Sequence, residues 1–242
     1  MATREDFQRL LRVKRTQVQM IYDRGYDIPD NELLFLENNF NYASGFDNYN
    51  IIHMDNLSYT TFRSKLSNDY ERIINNKRET INVFYVALLP NVKIIKNMIK
   101  NYGEHLEGKG WPEKAIYISP LNIAKNYLSD IKSYIKTKTQ TFFDKQLVIN
   151  PTRHVLYSQH ELLTDVQTKE LLSQLNTSIK FGADTSNRLI NVNLLMLPKI
   201  KISDPIVRYF DWPLGKVVKI YRDNYHNNKL VNKSVYPRVI VD

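Results

Sequence analysis

The sequence predicts an α/β chain, α+β overall, built as two domains. A three-layer-like α/β domain is expected over residues 1–150 and a small α+β domain over residues 151–242. Three observations carry this. Two apolar runs, INVFYVALL at residues 81–89 and KAIYIS at residues 114–119, alternate with stretches of helical spacing. The pattern then changes around Pro151, where short helices, turns and β-branched runs take over. Finally, 242 residues with 43% hydrophobic and 12% aromatic content suffice for one large core or two small ones.

Residues 4–26 read as an amphipathic helix, because Phe7, Leu10, Leu11, Val18, Ile21 and Tyr22 recur at helical spacing. Arg9, Arg12 and Arg15 fall three apart on a neighbouring stripe. Gly25 stands where a helix ends in the left-handed conformation. Pro29 and Asp30 open a second short helix through Leu33, Leu34 and Leu36, and residues 38–50 read as a loop. The run at 81–89 suits a buried strand, stopped by Pro90, and residues 92–102 return to helical spacing. Residues 114–119 form a second strand, 121–136 a helix, and 146–149 (QLVI) a third strand. Strands and helices in that order imply a largely parallel sheet with right-handed crossovers.

In the second half, Thr164-Asp165-Val166-Gln167 is a capping box, opening a helix to about Leu175. Residues 176–193 are polar and read as an inserted surface loop. In Ser203-Asp204-Pro205, Asp204 caps free N–H groups and Pro205 stands where its missing N–H costs nothing. Ile206, Val207, Tyr209 and Phe210 make that helix apolar. Trp212-Pro213-Leu214-Gly215 is a turn, residues 216–221 (KVVKIY) a strand, and residues 235–241 a closing strand.

Composition excludes several chemistries. There is no cysteine, so disulfides, thiolate metal sites and cysteine nucleophiles are ruled out. No apolar run reaches the roughly 18–20 residues that span a bilayer, and no apolar region follows Met1, so a soluble intracellular chain with no membrane partner is expected. The net charge of +9 suits a partner carrying phosphate or an acidic protein surface.

The motifs for chemistry are incomplete. Gly103 to Lys109 has the spacing GxxxxGK, but Gly110 replaces the hydroxyl residue that would hold magnesium. Asp30 with Glu107 and Lys109, or with Asp130 and Lys132, can be aligned with a metal-dependent nuclease, across long gaps. His53, His105, His154, His160 and His226 lack metal spacing, and His160-Glu161 lacks the second histidine of HExxH. No G-x-S-x-G elbow is present. No cofactor and no metal are expected. The Arg9, Arg12, Arg15 stripe reads either as a phosphate-facing row or as a solvated face.

Ordered motifs at both ends carry a resemblance. His160-Glu161-Leu162-Leu163-Thr164-Asp165, then Leu197-Pro198-Lys199-Ile200, then Ser203-Asp204-Pro205 with Arg208-Tyr209, then Gly215-Lys216-Val217-Val218-Lys219-Ile220 with Arg222 follow one another. Near the start stand Arg9-Leu10, Arg12-Val13, Thr16 and Asp23-Arg24-Gly25-Tyr26. This set resembles the fifth-largest common subunit of eukaryotic RNA polymerases, whose C-terminal domain is similar to the archaeal polymerase H subunit. Archaeal H subunits lack the N-terminal domain, so the chain looks like the eukaryotic form or a eukaryote-like viral version.

The resemblance implies a non-catalytic polymerase subunit. Residues 1–150 would be a jaw beside downstream duplex DNA, and residues 151–242 an assembly domain on the largest polymerase subunit, among the other subunits and without homo-oligomers. Arg9, Arg12, Arg15, Ser119, Pro120 and Lys125 would lie near DNA. His160, Leu197, Pro198, Asp204, Pro205, Arg208, Tyr209, Gly215, Lys219 and Arg222 would serve docking. The location implied is the nucleus for a cellular protein, and a cytoplasmic factory or virion for a viral one. Alternatives are a metal-dependent DNA-processing nuclease and a stand-alone basic DNA-binding module. Three departures from the family stand out. After Arg222 a longer loop is expected in place of a tight turn, Pro237 should make its strand an edge or bulge, and residues 176–193 look inserted.

Overall fold

The computed structural model describes residues 3–37, 58–86, 114–120, 138–182, 193–226 and 229–242. The chain divides into two compact units, Met1–Asn150 and Pro151–Asp242.

In the first unit, helix α1 (Arg4–Asp23) starts at a reciprocal cap. The Thr3 hydroxyl accepts from the Asp6 N–H, and the Asp6 carboxylate accepts from the Thr3 N–H. It ends as Gly25 suggests. Gly25 has φ +81°, its N–H donates to Tyr22 O, and the Tyr26 N–H donates to Ile21 O, which satisfies two otherwise free carbonyls. Phe7, Leu10, Leu11, Val18 and Ile21 are buried as expected, but Tyr22 is 58% exposed. Tyr26, carried back by the turn, is buried at that end instead. The second short helix is a 3-10 helix, Asp30–Leu36.

Helix α2 (Tyr59–Lys65) is capped by the Ser58 hydroxyl and leads into a four-stranded sheet. Its strands are β1 (Asn68–Ile74), β2 (Lys77–Tyr85), β3 (Lys114–Ser119) and β4 (Lys138–Phe143), side by side in that order. β2, β3 and β4 are mutually parallel, as the sequence predicts, whereas β1 pairs antiparallel with β2. Asn75 and Asn76, both at positive φ, make the tight turn between β1 and β2. The helices expected at 92–102 and 121–136, and the loop expected at 38–50, lie outside the described residues.

The expected strand at 146–149 is corrected. Helix α3 (Asp144–Leu147) occupies its start, and the third parallel strand is β4, immediately before it. Leu147 is buried but Ile149 is 64% exposed, so QLVI is an apolar run without the alternation of a strand. β1 escaped the sequence reading because only Tyr70 of NDYERII is buried.

The second unit carries β5 (Gln159–Leu162), α4 (Asp165–Gly182), β6 (Lys199–Lys201), α5 (Pro205–Phe210), β7 (Val217–His226) and β8 (Lys229–Val241). The sheet order is β5-β7-β8-β6. β8 runs antiparallel to β7 and parallel to β6. Each face has its own apolar cluster. Ile200, Val207, Val218, Ile220 and Ile240 join α5 to one face, with Leu162, Ile202 and Trp212 at the margin. Leu163, Leu197, Val217 and Val239 lie on the other, packed by Leu171, Leu172 and Leu175 of α4.

The capping box forms as read. Thr164 N–H donates to Gln167 Oε1 at 2.8 Å, and Gln167 N–H donates to the Thr164 hydroxyl at 3.2 Å. The helix does not stop near Leu175, however, so residues 176–182 of the expected insertion are helical. Residues 183–192 lie outside the described residues. Asp223, Asn224, Tyr225 and His226, expected in a loop, continue β7 and pair with β8, with a register shift at Asn224/Tyr225. In sequence, residues 223–234 (DNYHNNKLVNKS) are mostly polar, so they show no apolar alternation to read.

Pro237 pairs with Lys219. Val239 N–H donates to Pro198 O, on the side of β8 away from β7. Strand periodicity turns the Pro237 nitrogen to that same side, two residues short of where β6 begins at Val239. The edge reading therefore holds locally, although β8 is an interior strand at residues 239–241.

Candidate functional site

The residues assigned to docking separate into three groups. Leu197 and Tyr209 are buried, and hold the unit's core. Asp204, Pro205 and Gly215 set shape. The Asp204 carboxylate accepts from Ile206 N–H at 2.8 Å and Val207 N–H at 3.4 Å, with Pro205 as the first helical residue. Asp211, in the left-handed conformation, ends α5, and Gly215 has φ +80°. His160, Pro198, Arg208, Lys219 and Arg222 keep surface.

Register decides which of those share a face. His160 pairs with Ile220, and Ile220 with Tyr236, across three strands. Arg222 follows Ile220 by two residues, and Arg238 follows Tyr236 by two. All four polar side chains therefore project from the face that α5 packs, while Lys219 projects from the opposite face. The Arg222 guanidinium lies over the Tyr236 ring, 5.3 Å from its centroid. The His160 ring stacks on Tyr157 at 5.7 Å, and its Nδ1 lies 2.5 Å from Ser158 O. Arg238 donates through Nη1 to Lys199 O at 3.2 Å, while its buried Nε has no acceptor among the described residues.

Electrostatics match that layout. Burial pushes the His160 imidazole below its ordinary value, and the Arg222 and Arg238 charges push the same way. The Ser158 carbonyl and Asp204 oppose them. Burial likewise lowers the Arg208 guanidinium. Arg238 and Tyr236 were missed as site residues, since only the register brings them to the face that His160 shares; Tyr157, missed too, stacks on His160 from three residues away in the chain.

In the first unit, Arg9 and Arg12 are exposed on α1, and Arg15 donates from Nη2 to Glu37 O at 2.7 Å. Ser119 is 1% exposed at the end of β3, and Pro120 follows it. Lys125 lies outside the described residues.

Two buried ionic groups hold this unit, and neither is legible as a motif. Arg63 on α2, fully buried, forks onto both Asp144 oxygens at 2.8 and 2.7 Å. It also donates to Val86 O at 2.6 Å and Ile118 O at 3.0 Å, at the carboxyl ends of β2 and β3. Burial lowers its proton affinity, but the Asp144 hydrogen bonds and charge outweigh that and raise it. Lys14 pairs with Glu32 at 2.7 Å and donates to Leu66 O and the Tyr70 hydroxyl. Burial pulls the Lys14 ammonium down despite Glu32. For Glu32, burial raises the carboxyl, but Lys14, Tyr70 and Asn68 together hold it below its ordinary value.

Among the described residues, no three His, Asp or Glu gather as metal ligands. No described helix is long and apolar enough to cross a membrane. Of the residues aligned with a nuclease, Asp30 is exposed on the 3-10 helix, and Glu107, Lys109, Asp130 and Lys132 lie outside the described residues.

Comparison with known proteins gives the class. Residues 4–106 match the family described as RNA polymerase Rpb5, N-terminal domain, and residues 149–232 match RNA polymerase Rpb5, C-terminal domain. Chains of this kind are non-catalytic components of DNA-directed RNA polymerases. Similar proteins include the subunit rpabc1 of DNA-directed RNA polymerases I, II, and III from Dictyostelium discoideum, 26% identical, covering 90% of this chain and 92% of that one. The RPABC1 subunit of Caenorhabditis elegans is 23% identical over 88% of this chain and 89% of its own. Subunit 5B of DNA-directed RNA polymerases IV and V from Arabidopsis thaliana is 22% identical over 92% and 87%. The chain belongs to the Rpb5 family of RNA polymerase subunits.

Proposed function

We propose that residues 151–242 dock the chain on the largest subunit of a DNA-dependent RNA polymerase, and that residues 1–150 serve as a jaw beside downstream duplex DNA. The observation that carries the docking half is the convergence of His160 and Arg222 with Tyr236 and Arg238 on one sheet face. Asp204, Pro205 and Gly215 set the α5 segment whose core residues pack that same face. This unit supplies shape and charge, and the polymer-forming chemistry belongs to the large subunits.

For the jaw, the exposed guanidiniums of Arg9 and Arg12 are the groups on α1 that meet phosphate. Arg15, which holds Glu37 O, and buried Ser119 act by placing the chain around them. In a cell the subunit works in the nucleus with its polymerase. In a virus with its own polymerase it works in the cytoplasmic factory or the virion.

Purification of the tagged full chain from its native source tests this. The expected result is recovery with the two largest polymerase subunits and cross-links from residues 151–242 to the largest. Recovery as a free monomer overturns it.

A further inference from the structure

Granted the docking reading above, the geometry points to the α5-packed face as a receptor for the carboxylates of an acidic segment of a partner polypeptide. Arg222 and Arg238 are its two anchoring guanidiniums, with Tyr236 and His160 as the wall between them. Val218, Ile220, Ile240 and Ile200 fix which way this face points, because they are buried with Val207 of α5. Beside them on the same face lie exposed Arg222 and Tyr236, half-buried His160 and half-buried Arg238.

Among the described residues, no carboxylate pairs with either guanidinium. Arg222 rests on the Tyr236 ring, and Arg238 makes one hydrogen bond to Lys199 O, leaving a buried N–H without an acceptor. An unsatisfied buried donor of this kind destabilises the chain alone and is relieved by an incoming acceptor. Among the described residues, the charges that act on His160 are the Arg222 and Arg238 guanidiniums and the Asp204 carboxylate, two cations to one anion. The planar fork of arginine suits a carboxylate bidentately.

Nucleic acid fits this face less well. Arg222 and Arg238 stand one strand and four residues apart, about 14 Å by strand geometry. A row of His160, Ile220 and Tyr236 lies between them, rather than the continuous cationic groove that tracks a phosphate backbone.

The test uses the full chain within its purified, nuclease-treated polymerase. R222K and R238K keep the charge and supply an amine that carbodiimide joins at zero length to a carboxylate in contact. The expected result is a cross-link from both positions to Asp or Glu of another polymerase chain. Together, R222E and R238E are expected to weaken association roughly tenfold or more, most visibly at low salt, while K65E on α2 leaves it unchanged.

Cross-links within this chain only, or none, overturn the proposal. So does unchanged association of the R222E/R238E variant, which leaves the docking reading standing. Loss of binding to added duplex DNA with protein association intact assigns the face to nucleic acid and overturns it too. Failure of the wild-type chain to co-purify overturns the docking reading itself. Should charge reversal abolish the thermal transition, the R222K and R238K cross-links decide.

Discussion

Arg63 shows how one side chain can organise a unit without belonging to any motif. Its guanidinium holds the ends of two parallel strands and the start of α3, entirely out of solvent. R63A would leave Asp144 buried and unpaired, a loss of about 3–5 kcal/mol. A marked fall in the thermal midpoint is the expected outcome, and R63M combined with D144L should recover much of it, because no charge is then stranded. Glu32 gives a pH dependence with a definite sign. Its carboxyl is held below the ordinary 4.5, so its stabilisation is full above that value and drains away as pH falls through the depressed folded value. Acid denaturation of E32Q should lose this part of the slope while starting from lower stability, since Lys14 is then unpaired. An unchanged acid limb in E32Q would show that Glu32 does not couple folding to pH.

At the scale of elements, caps and turns were legible because they rest on local chemistry. Thr164 with Gln167, Asp204 with Pro205, Gly25 and Gly215 all act as the sequence predicts. Elements stabilised by distant partners were not. β1 and β4 are polar strands kept in place by the sheet, β5 and β6 are too short to show alternation, and the outer parts of β7 and β8 are mostly polar in sequence. For the same reason the sequence supplied His160 and Arg222 but not Arg238 or Tyr236, which only pairing register brings alongside. Two variants separate cap from turn. D204A removes acceptors from Ile206 and Val207 and should cost about 1 kcal/mol. G215A meets no atom within 4 Å, so its cost, roughly 1–2 kcal/mol, comes from the backbone conformation alone. Denaturant titration should give a similar slope and lower midpoint for both. The functional difference is that D204A, made together with P205A, should also loosen association with the polymerase.

At the scale of the whole molecule, the two compact units match two family domains in the same order, and mutation should separate their proposed tasks. R9E with R12E should leave assembly intact while reducing DNA cross-linking to residues 1–150, because these exposed guanidiniums lie on α1 and outside the docking face. Changes at Asp204 and Pro205 should do the reverse. The most direct measurement is affinity purification of the full-length tagged chain, wild type and D204A/P205A side by side, with quantification of the large polymerase subunits recovered. The wild type should bring down both large subunits, and the double variant should recover far less of each while remaining folded. Equal recovery by the two proteins, or a wild type that elutes alone, would contradict the role given to residues 151–242.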